Sequence, residues 1–372
     1  MKKTACVITT LLTTACVPLD GYVIKGTIDG LTDGMAVLRN ASREFPVADT
    51  AVIENGRFEF SGKVTTPEPY YLSIEGDKPA GQLSFFLDNG KITIRASIDS
   101  LSRTMILTGP ATTLFAKSVD DVERRFYDAW PYDFESLLRE YCDAATSPER
   151  KTEILQIAEE AEERVAGMQK IMTMEYAETH PASAYTAYIL KRHTEYFPVE
   201  EMEIYLSALQ DAQPANRIVQ ELAAALPALK ATAEGQPAPD FTQHDPAGKP
   251  LAFSDVYMKN KLTMINFWAS WNGSCRRFNP TLVALYNKYH PKGLEIVAVS
   301  LDSRQDSWTE AIAKDGLKWY HMSDLNGWNN AVARQYNIRY IPQNVFVNAS
   351  GEIVGKRIPE SDMDAFLASQ LN

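Results

Sequence analysis

Cysteine is scarce in this chain: 4 in 372 residues, at Cys6, Cys16, Cys142 and Cys275. So few thiols cannot staple a disulfide scaffold, and their spacing builds no four-cysteine zinc ribbon. The 5 histidines are scattered without zinc-protease or zinc-finger spacing, so neither a metal nor another cofactor is expected. Positive charge is also short. With 37 Lys+Arg against 48 Asp+Glu the net charge is −11, which argues against a general nucleic-acid binder. Past the extreme N-terminus no run of about eighteen apolar residues occurs, so no part of the processed chain is expected to cross a bilayer as a helix. What remains, 45% hydrophobic and 23% charged, is the composition of a folded globular protein, and the length allows two or three domains.

Residues 1–16 read as an export signal. Lys2 and Lys3 lead into a short, threonine-diluted apolar stretch from Ala5 to Leu12, followed by Thr14-Ala15-Cys16. Small residues before a cysteine resemble a bacterial lipoprotein signal, in which cleavage leaves Cys16 as a lipid-bearing N-terminus. The alternative is a plain secretory signal cut nearby. Either way Cys6 is removed, and Cys142 and Cys275 remain in a compartment where disulfides can form.

From 22 to 110 short alternating runs separated by turn residues predict a β-sandwich-like domain. Arg57-Phe58-Glu59-Phe60 and Lys91-Ile92-Thr93-Ile94-Arg95 alternate with period two, and Asn55-Gly56 and Asn89-Gly90 read as hairpin turns. The Gly26-Thr27-Ile28 opening and the hairpin from Asp49–Val52 to Phe60-Ser61-Gly62 resemble a domain of unknown function that precedes thioredoxin-like domains in bacterial envelope lipoproteins. That resemblance implies a spacer or binding module and no reaction. From 112 to 232 the period turns helical. Ser147-Pro148 offers an N-cap with proline at the first helical position, and Ile154, Ala158, Ala161, Val165, Met168 and Met172 follow as an apolar stripe. Glu159, Glu160, Glu162 and Glu163 are expected on the solvated face, the methionines in the core, and Cys142 half-buried and inert.

The stretch Glu234-Gly235-Gln236-Pro237-Ala238-Pro239 cannot continue a helix and predicts a boundary before a 236–372 domain of alternating strands and helices. Strands are expected at Leu262–Trp268, Leu294–Leu301, Tyr340–Val347 and Ile353–Arg357, and helices at Arg276–Lys288, Trp308–Lys314 and Asp362–Leu371. The fold class is therefore multidomain: an all-β domain, a helical segment and a C-terminal α/β sheet covered on both faces.

The segment Trp268-Ala269-Ser270-Trp271-Asn272-Gly273-Ser274-Cys275-Arg276 leaves a strand and enters a helix. It resembles the active-site segment of TlpA/ResA-type thioredoxin-like proteins, W-A-x-W-C-x-x-C-R. Ala238-Pro239-Asp240-Phe241 and Tyr340-Ile341-Pro342-Gln343-Asn344 match further motifs of that family in the right order. The resemblance implies thiol-disulfide oxidoreductase chemistry, a cis bond before Pro342 facing the motif, and a peptide-pairing backbone edge at Ile341, with Trp271 flanking the groove and Trp268 in the core.

Three departures fall inside the motif: Asn272 at the first cysteine, Ser274 at the usual proline and Phe278 at the usual glutamate. The family's first cysteine attacks as a thiolate from a helix N-terminus and the second resolves the mixed disulfide. Here N-x-x-C replaces C-x-x-C, and only the resolving thiol, Cys275, is kept. Asn272 is expected to cap the helix through its side-chain oxygen, with Cys275 buried behind it, while Arg276 and Arg277 are expected to be solvated. No Cys142–Cys275 disulfide is expected between separate domains, since a bond requires Cα atoms within about 7 Å.

Three functions stay open on these residues. One is a cell-envelope, lipid-anchored binding protein that holds a peptide or protein partner at the Pro342 loop without dithiol turnover. Another is a monothiol redox protein acting through Cys275 with an external reductant. The third is a structural assembly protein of the envelope.

Overall fold

The computed structural model describes residues 21–42, 48–76, 79–194 and 197–371. The signal-like segment and Cys16 lie outside them. Two compact units divide between Leu222 and Ala223.

The first unit opens with strands β1 Tyr22–Asp29, β2 Asp33–Asn40, β3 Ala48–Glu54, β4 Arg57–Gly62, β5 Glu68–Gly76, β6 Pro79–Leu87 and β7 Gly90–Ser97. A short helix α1, Leu101–Thr104, precedes β8, Ile106–Thr108. Among the described residues these strands form one half-barrel sheet in the order β6-β5-β2-β3-β4-β1-β7-β8, with β1 and β7 parallel. Period-two patterning sets its inner face: in β1 the alternate residues Ile24 and Ile28 are buried, joined by Leu38, Phe60, Leu72 and Ile94. Gly26 lies opposite Phe58, whose ring stands where a β-carbon would be, 1.9 Å away, so only glycine lets that ring cover the strand.

Asn55 and Gly56 take φ of 50° and 71° and turn β3 into β4 as expected. Asn89-Gly90 does not make a hairpin. β6 is an edge strand, whereas β7 lies between β1 and β8. The pair instead forms a crossover corner: the Asn89 carboxamide accepts from Val64 N (3.0 Å) and donates to Val64 O (2.7 Å), and Gly90 N donates to Gly21 O. An Asn-Gly pair marks a sharp change of direction, and long-range pairing decides where the next strand goes.

Helices α2 Ala111–Ala129, α3 Phe134–Cys142, α4 Pro148–Thr179, α5 Ala184–Arg192, α6 Val199–Ala212 and α7 Arg217–Ala231 follow. The Ser147 hydroxyl accepts from Arg150 N and proline opens α4. The glutamates 159, 160, 162 and 163 are exposed. Two expectations need correction. Met168 is 37% exposed, because α4 buries Ile154, Ala161 and Val165 but drifts so that Met168 leaves the seam. Cys142, in the last turn of α3, is exposed and free rather than half-buried; of that nine-residue helix Leu137 is the buried residue.

The second unit contains β9 Thr242–His244, β10 Pro250–Ala252, α8 Ser254–Tyr257, β11 Leu262–Trp268, α9 Gly273–Tyr289 and β12 Leu294–Ser300. It continues with α10 Gln305–Asp315, β13 Tyr320–Met322, α11 Ala331–Gln335, β14 Gln343–Asn348, β15 Ile353–Lys356 and α12 Glu360–Leu371. Its main sheet runs β13-β12-β11-β14-β15, with β11, β12 and β13 parallel and β14 and β15 antiparallel to their neighbours. Every residue of β11 and β12 is buried, as a sheet covered on both faces requires. The Pro/Gly stretch belongs to this unit. Gly235 N donates to Ile353 O, Ile353 N to Gln236 O and Ala238 N to Gly351 O, all within 2.9 Å.

Candidate functional site

Strand β11 ends on Trp268, fully buried in the core. The next residues turn into α9, and two anchors fix them. Ser270 donates its N–H and its hydroxyl to the buried Asp302 carboxylate at 2.9 and 2.6 Å, and the Ser300 hydroxyl donates to the same carboxylate at 2.7 Å. Arg276 forks onto both oxygens of Asp315, at 2.6 and 2.7 Å, and also donates to Ser270 O. Asn279 adds a 2.7 Å bond to Asp315. Arg276 is thus a half-buried clamp between α9 and α10 rather than a solvated arginine, because its fork meets a carboxylate across the helix pair. Arg277 is exposed as expected and donates to the Ser274 hydroxyl at 2.9 Å.

Asn272 has extended backbone angles (φ −87°, ψ 114°), and its Oδ1 accepts from Cys275 N at 2.9 Å. It is the N-cap of α9. Behind it Cys275 is 1% exposed and free. Burial pushes its thiol up to about 11, and the negative charge of Asp302 adds to this against two backbone hydrogen bonds that favour the thiolate. At neutral pH the thiol form dominates. The two arginines beside it therefore do not activate it.

The Ile341–Pro342 bond is cis. Pro342 and Ser274 line one cavity of about 340 Å³, together with Arg277, Phe278 and Arg357. Ile341 itself is buried at 7% exposure. Trp271 sits elsewhere. It is 55% exposed, 6.4 Å ring to ring from the equally open Trp328, and lines a separate cavity with Ser270, Arg276 and Asp302. Pro342 thus shares a cavity with Ser274 of the first turn of α9, and Trp271 lines a different one.

Arg357 has no counterpart among the residues singled out from the sequence. It follows β15 at φ 55°, in the left-handed region, held by its N–H to Asn344 O and by the Asn344 carboxamide bracketing Ile358. No local pattern signals it, since the strand pairing of β14 with β15 brings it to the cavity. Among the described residues no three His, Cys, Asp or Glu side chains are placed to hold a metal ion.

Comparison with known proteins covers both units. A family model described as "Thioredoxin-like" matches residues 260–353, and one described as "Domain of unknown function (DUF4369)" matches residues 22–113. Thiol-disulfide oxidoreductase ResA of Bacillus cereus is 30% identical over 128 residues, 34% of this chain and 70% of that protein. The protein of the same name from Oceanobacillus iheyensis is 35% identical over 122 residues, 32% of this chain and 62% of that one. Among solved structures, the thioredoxin domain of a thiol-disulfide oxidoreductase from Bacteroides vulgatus is 29% identical, covering 38% of this chain and 99% of that one at a TM-score of 0.35.

Proposed function

The chain belongs to the thioredoxin-like thiol-disulfide oxidoreductases of the ResA type, and from that premise we propose that it is an extracytoplasmic binding member of the family that has lost dithiol turnover. Its C-terminal domain holds an extended peptide segment of a partner beside the cis-proline loop at Pro342. The residues before it act as a spacer, anchored at Cys16 by lipid. The observation that carries this reading is the cap at the start of α9: Asn272 accepts from Cys275 N, and Cys275 is buried behind it.

A lone resolving thiol at about 11 forms mixed disulfides too slowly to serve as a nucleophile, and nothing adjacent would release a captured partner. Burial of Cys275 therefore weighs against the monothiol alternative. No helix among the described residues is long and apolar enough to cross a membrane, which fits attachment through the N-terminus. Iodoacetamide labelling under native conditions, mapped by mass spectrometry, tests the reading. Cys142 should react at once and Cys275 only on unfolding, and a fluorescent, unfolded, cysteine-free protein should bind wild type and Cys275→Ser alike. Rapid native labelling of Cys275, or binding lost with its sulfur, would favour the monothiol alternative.

A further inference from the structure

We propose that the cavity beside Pro342 receives the carboxylate of an acidic side chain on the bound peptide, with Arg357 and Arg277 as its receptors. The inference rests on the peptide-groove reading above and adds the chemistry of the side chain selected there. Arg277 and Arg357 both line the cavity of about 340 Å³, and Phe278 and Pro342 give it apolar walls. Neither guanidinium is in an ion pair among the described residues. Arg277 donates to a neutral hydroxyl, that of Ser274. Arg357 is half-buried, and its Nε is buried with no hydrogen-bond partner.

A desolvated guanidinium donor without an acceptor is costly, and a planar fork is matched best by a carboxylate. Arg276, close by in sequence and also half-buried, shows the contrast, since Asp315 occupies its fork completely. Glu360, the acid that lines the cavity, accepts from the Thr281 hydroxyl. At the start of α9 the Cys275 N–H is already taken by Asn272. In a chain of net charge −11 the cavity is thus a local cationic site, and its charges, that of Arg357 half-buried, discriminate at contact range rather than steer from afar.

Fluorescence anisotropy with the full chain tests this. Three labelled six-residue peptides share an alanine, valine and serine background and carry glutamate, glutamine or lysine at the centre. Wild type should bind the glutamate peptide at least tenfold more tightly than the glutamine peptide and the lysine peptide least. Arg277→Gln and Arg357→Gln together should erase that preference, bringing the glutamate and glutamine peptides to equal affinity. Arg277→Gln alone, at an exposed position, should reduce it and carries the test if the Arg357 change unfolds the domain. Equal binding of all three peptides overturns the acid selectivity and leaves the groove standing. Binding of none by folded protein overturns both. Succinate titrated alone separates the sources of carboxylate: an affinity equal to that of the glutamate peptide overturns the peptide assignment.

Discussion

At position 272 a neutral carboxamide caps the start of α9, the place the proposed reading gives to the family's attacking thiolate. The amides at the first turn of α9 stabilise whatever negative or partly negative oxygen or sulfur stands before them. With asparagine there, one of them is spent on a permanent intramolecular bond. Asn272→Ala should lower stability by about 1 kcal/mol, the usual size of a lost cap, read as a shifted urea midpoint at unchanged slope. Such a cap is legible from sequence because it depends on four consecutive residues. The exposure of Cys142 was not legible, since it depends on what packs over the end of a short helix that buries Leu137 and leaves Leu138 in solvent.

Elements follow the same division between local and long-range causes. The boundaries of β11, α9 and β12 are close to those expected, because all-apolar strands flanked by turn residues and a capped helix announce themselves. The three-residue strands β8, β9, β10 and β13 are too short to show a period. Asn89-Gly90 looks like a hairpin until sheet order is known, and Arg276 looks solvated until α10 is placed against α9. The Arg276–Asp315 fork is a partly buried interhelical link with Asn279 as third member. Arg276→Ala leaves that carboxylate without its cation and should cost about 2 kcal/mol, whereas changing Asp315 to alanine as well should recover part of the loss. Thermal or urea unfolding of the two single variants and the double variant measures that coupling.

On the scale of the whole chain, a half-barrel with helices is followed by a thioredoxin-like unit whose stability should depend on pH through its core. His321 is 5% exposed near Trp268 and Trp319, and burial, weakly opposed by the Leu317 backbone, pushes its pKa down from 6.5 to about 4. The unfolded chain takes up this proton as pH falls through 6.5, and the folded chain resists until about 4. Stability is therefore full above 6.5 and declines by about 3 kcal/mol on the way to 4, a slope that His321→Leu should flatten in pH-dependent urea melts.

The central claim, a thioredoxin-like groove without a dithiol cycle, is tested most directly by the initial rate of protein-disulfide reduction, measured for wild type and for Asn272→Cys under one external reductant. Wild type should remain at the rate of the reductant alone. The variant, with its paired thiols restored but Phe278 in place of an acid, should turn over measurably and slowly. Catalysis by wild type that disappears in Cys275→Ser would contradict the claim.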